Sequence, residues 1–305
     1  MGDCASANVN NDYANGGIFT SGLAIALILA AAIGHAAWNY LAKKANGGTA
    51  FIWLFAALSS LLYLPLAVWI IVVQQPVIGW HQLGFMLGSA VLHSLYFILL
   101  DKGYRIGDLS VIYPLARGTG PMISTIAAIV FLGEQPSALA FTGAIMIGIG
   151  IIVITGNPMK LREPAARKPI IFAVLCGTVI ASYTVSDKLA VSTFLIPPLL
   201  LDWSSNLGRV FLLTPYALKN WEKVKDQWAL HKIEAITVAI LCPLAYILVL
   251  SAMVFSPVSY IAPAREISVL IGTIMGAKLL AEGNMKVRLA GAFVMVIGLG
   301  ALSLG

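Results

Sequence analysis

The chain has few charged residues, and this shortage indicates the class of protein to which it belongs. Only 10% of its 305 residues are charged, whereas 59% are hydrophobic, and the mean hydropathy is +0.90. An average soluble domain carries roughly 25% charged residues, and a soluble core of this size could not bury so much apolar surface. The sequence therefore predicts a membrane protein whose apolar surface faces lipid.

The chain also lacks the motifs of several enzyme classes. Its three cysteines are scattered and odd in number, which indicates neither a disulfide framework nor a metal site. The four histidines do not have the His-Glu-x-x-His spacing of a metalloprotease, no serine stands in Gly-x-Ser-x-Gly, and the Gly-Lys pair of a P-loop never occurs. We therefore expect no nucleotide hydrolysis, no metal and no cofactor, and an intramembrane enzyme or a membrane scaffold is disfavoured.

Ten apolar stretches are each long enough to cross a bilayer, which takes roughly 20 residues. They run approximately over 18–42, 49–73, 83–100, 109–133, 137–155, 169–187, 193–217, 234–255, 258–281 and 285–304. The predicted fold is an all-α polytopic membrane protein with ten transmembrane helices. A polar tail at 1–17 precedes them, and a basic linker at 157–168 separates a first five-helix unit, 18–156, from a second, 169–305.

The net charge of +6 is better explained by membrane topology than by a nucleic-acid partner. Fourteen lysines and arginines fall in the odd-numbered loops, whereas the opposite side, which includes both termini, carries only Lys188. Because basic loop residues favour the cytoplasm, we predict a plasma (inner) membrane protein with cytoplasmic odd-numbered loops and external termini. No basic stripe with interleaved aromatic residues is present, so we expect no nucleic-acid binding.

The two units are related by an internal repeat. Aligning residues 116–150 with 264–298 at a constant offset of 148 gives eleven identities, among them Arg117 with Arg265. Chance in so biased a composition should give about three or four identities. Because five is an odd number of helices, the second copy enters the membrane from the opposite side, as in many secondary transporters. A duplicated bundle with another role is the alternative.

The same residues resemble the EamA-type transporters of the drug/metabolite transporter superfamily. The segments that carry the resemblance are His35-Ala-Ala-Trp38-Asn39, Gly107-Asp108-Leu-Ser110, Tyr113-Pro114-Leu-Ala-Arg117-Gly118, Leu132-Gly133-Glu134, Pro263-Ala-Arg265-Glu266 and Leu280-Ala281-Glu282. The resemblance covers both units and implies transport of small metabolites, most often export of amino acids or related compounds. A flippase for lipid-linked sugars, or a permease for amines or aminophosphonates, stays open within this class. Members usually have cytoplasmic termini, opposite to the orientation that the charges of this chain predict.

Charged residues inside the predicted spans are candidates for substrate contacts, since a charge within the bilayer usually faces a cavity or a partner. Arg117 and Arg265 follow Pro114 and Pro263 in the repeat, and two guanidinium groups suit a carboxylate or another oxyanion. Glu266 could hold an ammonium group, which would make the site suitable for a zwitterion. Alternatively, both arginines pair with Asp108, Glu266 or backbone carbonyls as structural locks.

Two further groups of polar residues lie on single faces of predicted helices. Asp202, Asn206 and Arg209 share one stripe of the seventh helix, and Trp38 lies at the repeat equivalent of Tyr183. We interpret His35, His93 and Tyr96 as weaker candidates, and Glu134 and Glu282 as caps of the helices that follow them.

These patterns predict a secondary transporter of small polar metabolites, such as amino acids, related zwitterions or organic anions, that works by alternating access. Its expected partners are a small solute and the lipid bilayer, and it could be a monomer or a homodimer. The predicted substrate-binding residues are Trp38, Asn39, Tyr113, Arg117, Tyr183, Asp202, Asn206, Arg209, Arg265 and Glu266.

Overall fold

The computed structural model describes residues 6–132, 137–155, 164–255, 267–281 and 284–304, and all regular structure in these ranges is helical. These ranges contain ten helices. They are α1 Ser6–Ala45, α2 Gly48–Gln74, α3 Trp80–Ile106, α4 Leu109–Leu132, α5 Ala138–Thr155, α6 Pro164–Ser192, α7 Pro198–Lys219, α8 Trp221–Phe255, α9 Ile267–Leu279 and α10 Met285–Leu304. The expected all-α fold is confirmed.

Three helices begin well before the apolar stretch that predicts them. α1 starts at Ser6, α6 at Pro164 and α8 at Trp221, in segments that the sequence assigns to a tail, a linker and a loop. Hydropathy locates only the apolar part of a helix, whereas backbone hydrogen bonds continue it into polar sequence. In α8 a kink separates the polar part from the apolar part, because His231 has non-helical dihedral angles (φ −131°, ψ 29°) just before the apolar part.

Four segments of the described residues are long and apolar enough to cross a membrane, by length and composition alone. They are Gly48–Gln74, Trp80–Ile106, Arg167–Ser192 and Trp221–Val254. Shorter apolar stretches occur at Phe141–Gly150 and Ile267–Leu279. α7 is not among the four, and the Asp202, Asn206 and Arg209 side chains lower its mean hydropathy. The chain is therefore a multi-pass membrane protein, and the full count of ten spans stays a prediction.

The burial of side chains is the reverse of that in a soluble protein. Leu61, Trp69 and Phe211 are more than half exposed, at 67%, 55% and 69%, while Asn39 and Asp187 are almost completely buried. Large apolar patches are rare on soluble monomers, whereas lipid solvates them. The helices thus present an apolar surface outward and enclose polar groups, as a bilayer requires.

The helices pack in matched pairs. The contact of α1 with α8 has a counterpart in that of α6 with α3. In the same way, the contact of α4 with α6 corresponds to that of α9 with α1, and the contact of α2 with α8 corresponds to that of α7 with α3. α2 also packs on α7, α4 on α9 and α5 on α10. Exchanging the first five helices with the last five, in order, maps each of these contacts onto another one or onto itself.

α5 and α10 approach each other most closely at glycines. A Cβ atom at Gly150 would lie 2.7 Å from the Gly291 carbonyl oxygen, and one at Gly298 would lie 2.7 Å from the Gly143 carbonyl oxygen. These distances are shorter than van der Waals contact, so only glycine allows the two backbones to touch. Small residues serve this purpose at many membrane helix interfaces.

Several loops lie at the same end of the bundle. Asn46 in the first loop, Arg105 at the end of α3 and Lys223 at the start of α8 line one surface pocket of about 270 Å³. Lys43 donates a hydrogen bond to the Gly107 carbonyl oxygen at 2.7 Å. An ion pair joins Asp108, before α4, to Arg288, at the start of α10, at 2.6 Å. The first, third, seventh and ninth loops are therefore on one side.

Candidate functional site

A small polar cavity lies inside the bundle, surrounded by α1, α3, α4, α6, α7 and α8. Its volume is about 30 Å³, enough for water but too little for a metabolite. The residues that line it are His35, Trp38, Asn39, His93, Tyr96, Phe97, Tyr113, Arg117, Tyr183, Asp202, Asn206, Arg209, Cys242 and Tyr246. A metabolite could therefore occupy this cavity only after these side chains move apart.

The structure brings together eight of the ten residues predicted to bind substrate, from four different helices. They are Trp38, Asn39, Tyr113, Arg117, Tyr183, Asp202, Asn206 and Arg209. Arg265 and Glu266 lie outside the described residues, as do Glu134 and Glu282. His35, His93 and Tyr96, the weaker candidates, also line the cavity. Whether these residues bind a substrate stays a prediction, but their convergence is a property of the fold.

The polar stripe of α7 forms one wall of the cavity. The Asn206 amide donates to an Asp202 carboxylate oxygen at 2.9 Å and accepts from Arg209 Nη1 at 2.9 Å. Asn206 therefore links the acidic and the basic side chain in one row. A three- and four-residue spacing places such side chains on one helix face, and the helix turns this face inward.

Arg209 is held by stacking as well as by this hydrogen bond. It is 2% exposed, and its guanidinium carbon lies 4.1 Å from the centre of the Phe97 ring and 5.9 Å from that of Phe55. A cation over an aromatic face is attracted by the electrons of the ring. No described residue accepts a hydrogen bond from Arg209 Nε. Nε and Nη2 form the edge with which a guanidinium grips a carboxylate through two hydrogen bonds, and at this edge Nε has no described partner.

The residues of α1 are tied to one another and to α3. Trp38 Nε1 donates to His35 Nδ1 at 3.1 Å, and the Asn39 amide donates to the His35 carbonyl oxygen at 2.7 Å. The Tyr104 hydroxyl donates to Asn39 Oδ1 at 2.6 Å. Trp38 also packs on Phe97, with ring centres 5.5 Å apart. These contacts fix the indole at the edge of the cavity.

α4 supplies a tyrosine and an arginine to the opposite wall. The Tyr113 hydroxyl donates to Ser268 Oγ on α9 at 2.9 Å, and Arg117 is 5% exposed. Asp108, one of the partners considered for Arg117, instead lies 2.6 Å from Arg288. The α4 helix continues through Pro114 without interruption.

A second cluster on α3, α6 and α8 was only partly visible in the sequence. His93 Nε2 lies 3.0 Å from Asp187 Oδ2, and the Tyr246 hydroxyl donates to the same oxygen at 2.6 Å. Tyr183 stacks on the His93 ring, with centres 4.2 Å apart. Asp187, which the sequence leaves near the membrane interface beside Lys188, is instead 1% exposed.

Phe97, Cys242 and Tyr246 are cavity residues that sequence analysis missed. Each is a single residue in an apolar helix, where packing in the core is the ordinary explanation. Cys242 and Tyr246 are four residues apart on α8, so they share a face, but two such residues do not distinguish a cavity from a core. Cys242 and Tyr246 line the cavity because α8 packs beside α1 and α6 in the folded protein.

The charges around the cavity balance. Arg117 and Arg209 supply two positive charges, and Asp187 and Asp202 supply two negative charges among the described residues. Burying charged groups costs several kcal/mol unless opposite charges and hydrogen bonds compensate them. A balanced set of both signs can be kept in a bilayer and can contact both ends of a zwitterion.

The fold and this site define a helical, multi-pass membrane protein with a charged interior. Its first half, residues 22–156, matches the model of the EamA-like transporter family. This family is part of the drug/metabolite transporter superfamily, and for residues 22–156 the predicted resemblance is confirmed. The match suggests a membrane transporter or permease.

Comparison with solved structures supports the fold. One crystal structure aligns over 93% of this chain and 98% of its own, with 15% sequence identity and a TM-score of 0.51. At this identity the likeness concerns the fold alone. No curated protein matches the chain in sequence.

Proposed function

We propose that the protein is a secondary transporter of small polar metabolites, namely amino acids, related zwitterions or organic anions. Substrate binds in the central cavity, and two inverted five-helix units open it alternately to the two sides of the membrane. The observation that carries this proposal is the convergence of two arginines, one aspartate and several aromatic rings on one small cavity, with a second buried aspartate, Asp187, hydrogen-bonded behind its wall. A purely structural bundle has no need to keep four charges inside the membrane.

The pairing of the helices supports the proposed inverted repeat. The contacts of α1 with α8 and of α3 with α6 exchange when the first five helices replace the last five. The glycine contacts follow the same symmetry, because the repeat offset of 148 converts the pair Gly150 and Gly291 into the pair Gly298 and Gly143. In transporters built in this way, the substrate site lies between the repeats, near the middle of the bilayer.

The chemistry of the cavity favours a zwitterion or an anion as substrate. The Nε edge of Arg209 can bind a carboxylate or a phosphonate through two hydrogen bonds, and Arg117 adds a second guanidinium. Asp202 can contact an ammonium group. The aromatic rings of Trp38 and Tyr183 supply surfaces for an aliphatic or aromatic side chain, and they can also attract an amine.

We further propose that the odd-numbered loops are cytoplasmic and that the transport direction is export. The positions of these loops at one end of the bundle support a common side for the basic residues. The usual orientation in the family would instead place both termini in the cytoplasm, so the location of the termini distinguishes the two orientations. A transporter of this kind would draw its energy from a solute or ion gradient, since the sequence has no P-loop.

Ligand binding by the purified protein tests the proposed function. We expect one or more of amino acids, amines, sugar phosphates and phosphonates to raise the melting temperature in detergent, since a ligand that binds only the folded state stabilises it. A ligand that does so should then cross the membrane of proteoliposomes that contain the protein and should not cross protein-free liposomes. Failure of all four classes to stabilise the protein would contradict this substrate assignment.

A further inference from the structure

The cluster of His93, Asp187 and Tyr246 lies directly beside the substrate cavity but has no part in the zwitterion contacts described above. Asp187 Oδ2 accepts hydrogen bonds from the Tyr246 hydroxyl at 2.6 Å and from His93 Nε2 at 3.0 Å. Its other oxygen, Oδ1, is buried and has no hydrogen-bond partner among the described residues. A buried carboxylate with one unsatisfied oxygen is costly, and protonation of its histidine partner would offset that cost.

His93 is arranged to exchange a proton with the cavity. With Nε2 hydrogen-bonded to Asp187, its Nδ1 is the basic atom, and the ring is part of the cavity wall. Tyr183 stacks on one face of the ring at 4.2 Å, and Tyr246 meets it edge-on at 4.9 Å. A cationic imidazole gains from both aromatic rings and from the carboxylate behind it. Histidine is also the side chain whose charge ordinarily changes between about pH 5 and pH 8.

The surrounding charges determine what such a proton would do. The ionisable groups that line the cavity with His93 come from several helices: His35 of α1, Tyr96 of α3, Tyr113 and Arg117 of α4, Tyr183 of α6, Asp202 and Arg209 of α7, and Cys242 and Tyr246 of α8. Asp187 of α6 contacts His93 directly, and no residue of α2 lines the described cavity. Among the described residues the two arginines and two aspartates sum to zero, so a proton on His93 adds one positive charge to a balanced set.

We propose that the His93–Asp187 pair is a proton-binding site whose occupancy favours binding of an organic anion in the same cavity. The proposal rests on the transport function proposed above. A proton from water in the cavity forms an N–H bond at His93 Nδ1, and the same bond breaks when the proton leaves, so no other reactant is needed. Because coupling between two bound species is reciprocal, the anion also holds the proton, and both cross together.

Direct observation of His93 tests the proton site without any substrate. In nuclear magnetic resonance spectra of the full-length protein labelled with ¹⁵N-histidine, recorded over a series from about pH 5 to pH 8, we expect one imidazole to gain a proton as the pH falls and to be absent in His93→Gln. In Asp187→Asn this imidazole should take up a proton less readily, because the carboxylate that stabilises its cation is gone. An imidazole of His93 that stays neutral over this range would overturn the proposal.

The coupling is tested by the affinity for glutamate, a probe with one net negative charge. As the pH rises and the proton leaves, wild-type affinity should fall, by at most about tenfold for each pH unit if one proton binds with each anion. His93→Gln should remove this dependence, whereas His81→Gln, at an exposed position on the same helix, should retain it. An unchanged pH dependence in His93→Gln would overturn the coupling. If no ligand of the screen binds wild-type protein, the proposed transport function fails, and the imidazole titration alone decides the proton site.

Discussion

Arg209 shows what a single buried side chain contributes to this protein. Its charge is compensated by Asp202 through Asn206, and its guanidinium plane rests on Phe97. These contacts use Nη1 and the flat face of the group, and they leave the Nε edge without an acceptor among the described residues. The residue is thus stabilised in position while part of its hydrogen-bonding capacity stays available to a ligand.

Replacement of Arg209 by lysine tests the importance of this edge. Lysine keeps the positive charge beside Asp202 but cannot present two parallel N–H groups or stack in the same way. We expect Arg209→Lys to weaken binding of an anionic or zwitterionic ligand from the screen at least about tenfold, measured by titration of the purified protein.

The matched control is Arg105→Lys, at a side chain that is 48% exposed and paired with Asp101. It should bind the ligand as the wild type does, because a surface ion pair contributes little. If Arg209→Lys binds the ligand with unchanged affinity, the guanidinium edge takes no part in recognition, and Arg209 is a structural partner of Asp202.

At the scale of helices, the contact between α5 and α10 depends on the absence of side chains. Both helices place glycine against the backbone of the other, at Gly150 with Gly291 and at Gly143 with Gly298. In lipid the hydrophobic effect does not drive helices together, so close van der Waals contact provides much of the attraction. The two contacts are equivalent under the proposed repeat and should therefore have similar energies.

Valine at Gly150 or at Gly298 should separate the two helices. A Cβ at either position would lie 2.7 Å from a backbone carbonyl oxygen, which cannot move without displacing its helix. We expect each variant to lower the free energy of unfolding by about 1–3 kcal/mol, measured as thermal unfolding in detergent. Gly148→Val is the control, because nothing lies within 4 Å of a Cβ there. Equal stability of all three variants would contradict the packing of α5 on α10.

At the scale of the whole molecule, the two ends of the bundle differ in charge. The pocket between Asn46, Arg105 and Lys223 and the ion pair of Asp108 with Arg288 show that several basic loops share one end. Basic loops of this kind remain on the cytoplasmic side during insertion. The fold brings these loops together, and the proposed orientation rests on their charge.

Reporter fusions test this orientation. We expect alkaline phosphatase fused to Gly305 to be active, because that enzyme folds outside the cytoplasm, and green fluorescent protein at the same position to be dark. Fusions after Asn220, between α7 and α8, should give the opposite result. A fluorescent fusion at Gly305 would place the termini in the cytoplasm, as in most members of the family, and would show that the charge bias does not set the orientation of this protein.

The sequence alone determined the class and the elements of this protein. Its apolar composition required lipid, and its polar stripes already had helical spacing, as Asp202, Asn206 and Arg209 show. Local patterns suffice here because a bilayer forces backbone groups to pair within a helix. Helix ends were less predictable, since α1, α6 and α8 extend into polar segments where hydropathy carries no signal.

Only the tertiary structure decided which residues share the cavity. Tyr183 faces His93 across two helices, and Tyr246 reaches Asp187 from α8. In sequence, 94 positions separate His93 from Asp187 and 59 separate Asp187 from Tyr246. Such contacts depend on how each helix is rotated against its neighbours, and packing across the whole bundle sets that rotation. Composition therefore established that charges lie inside the membrane, and the arrangement of the helices established which charges meet.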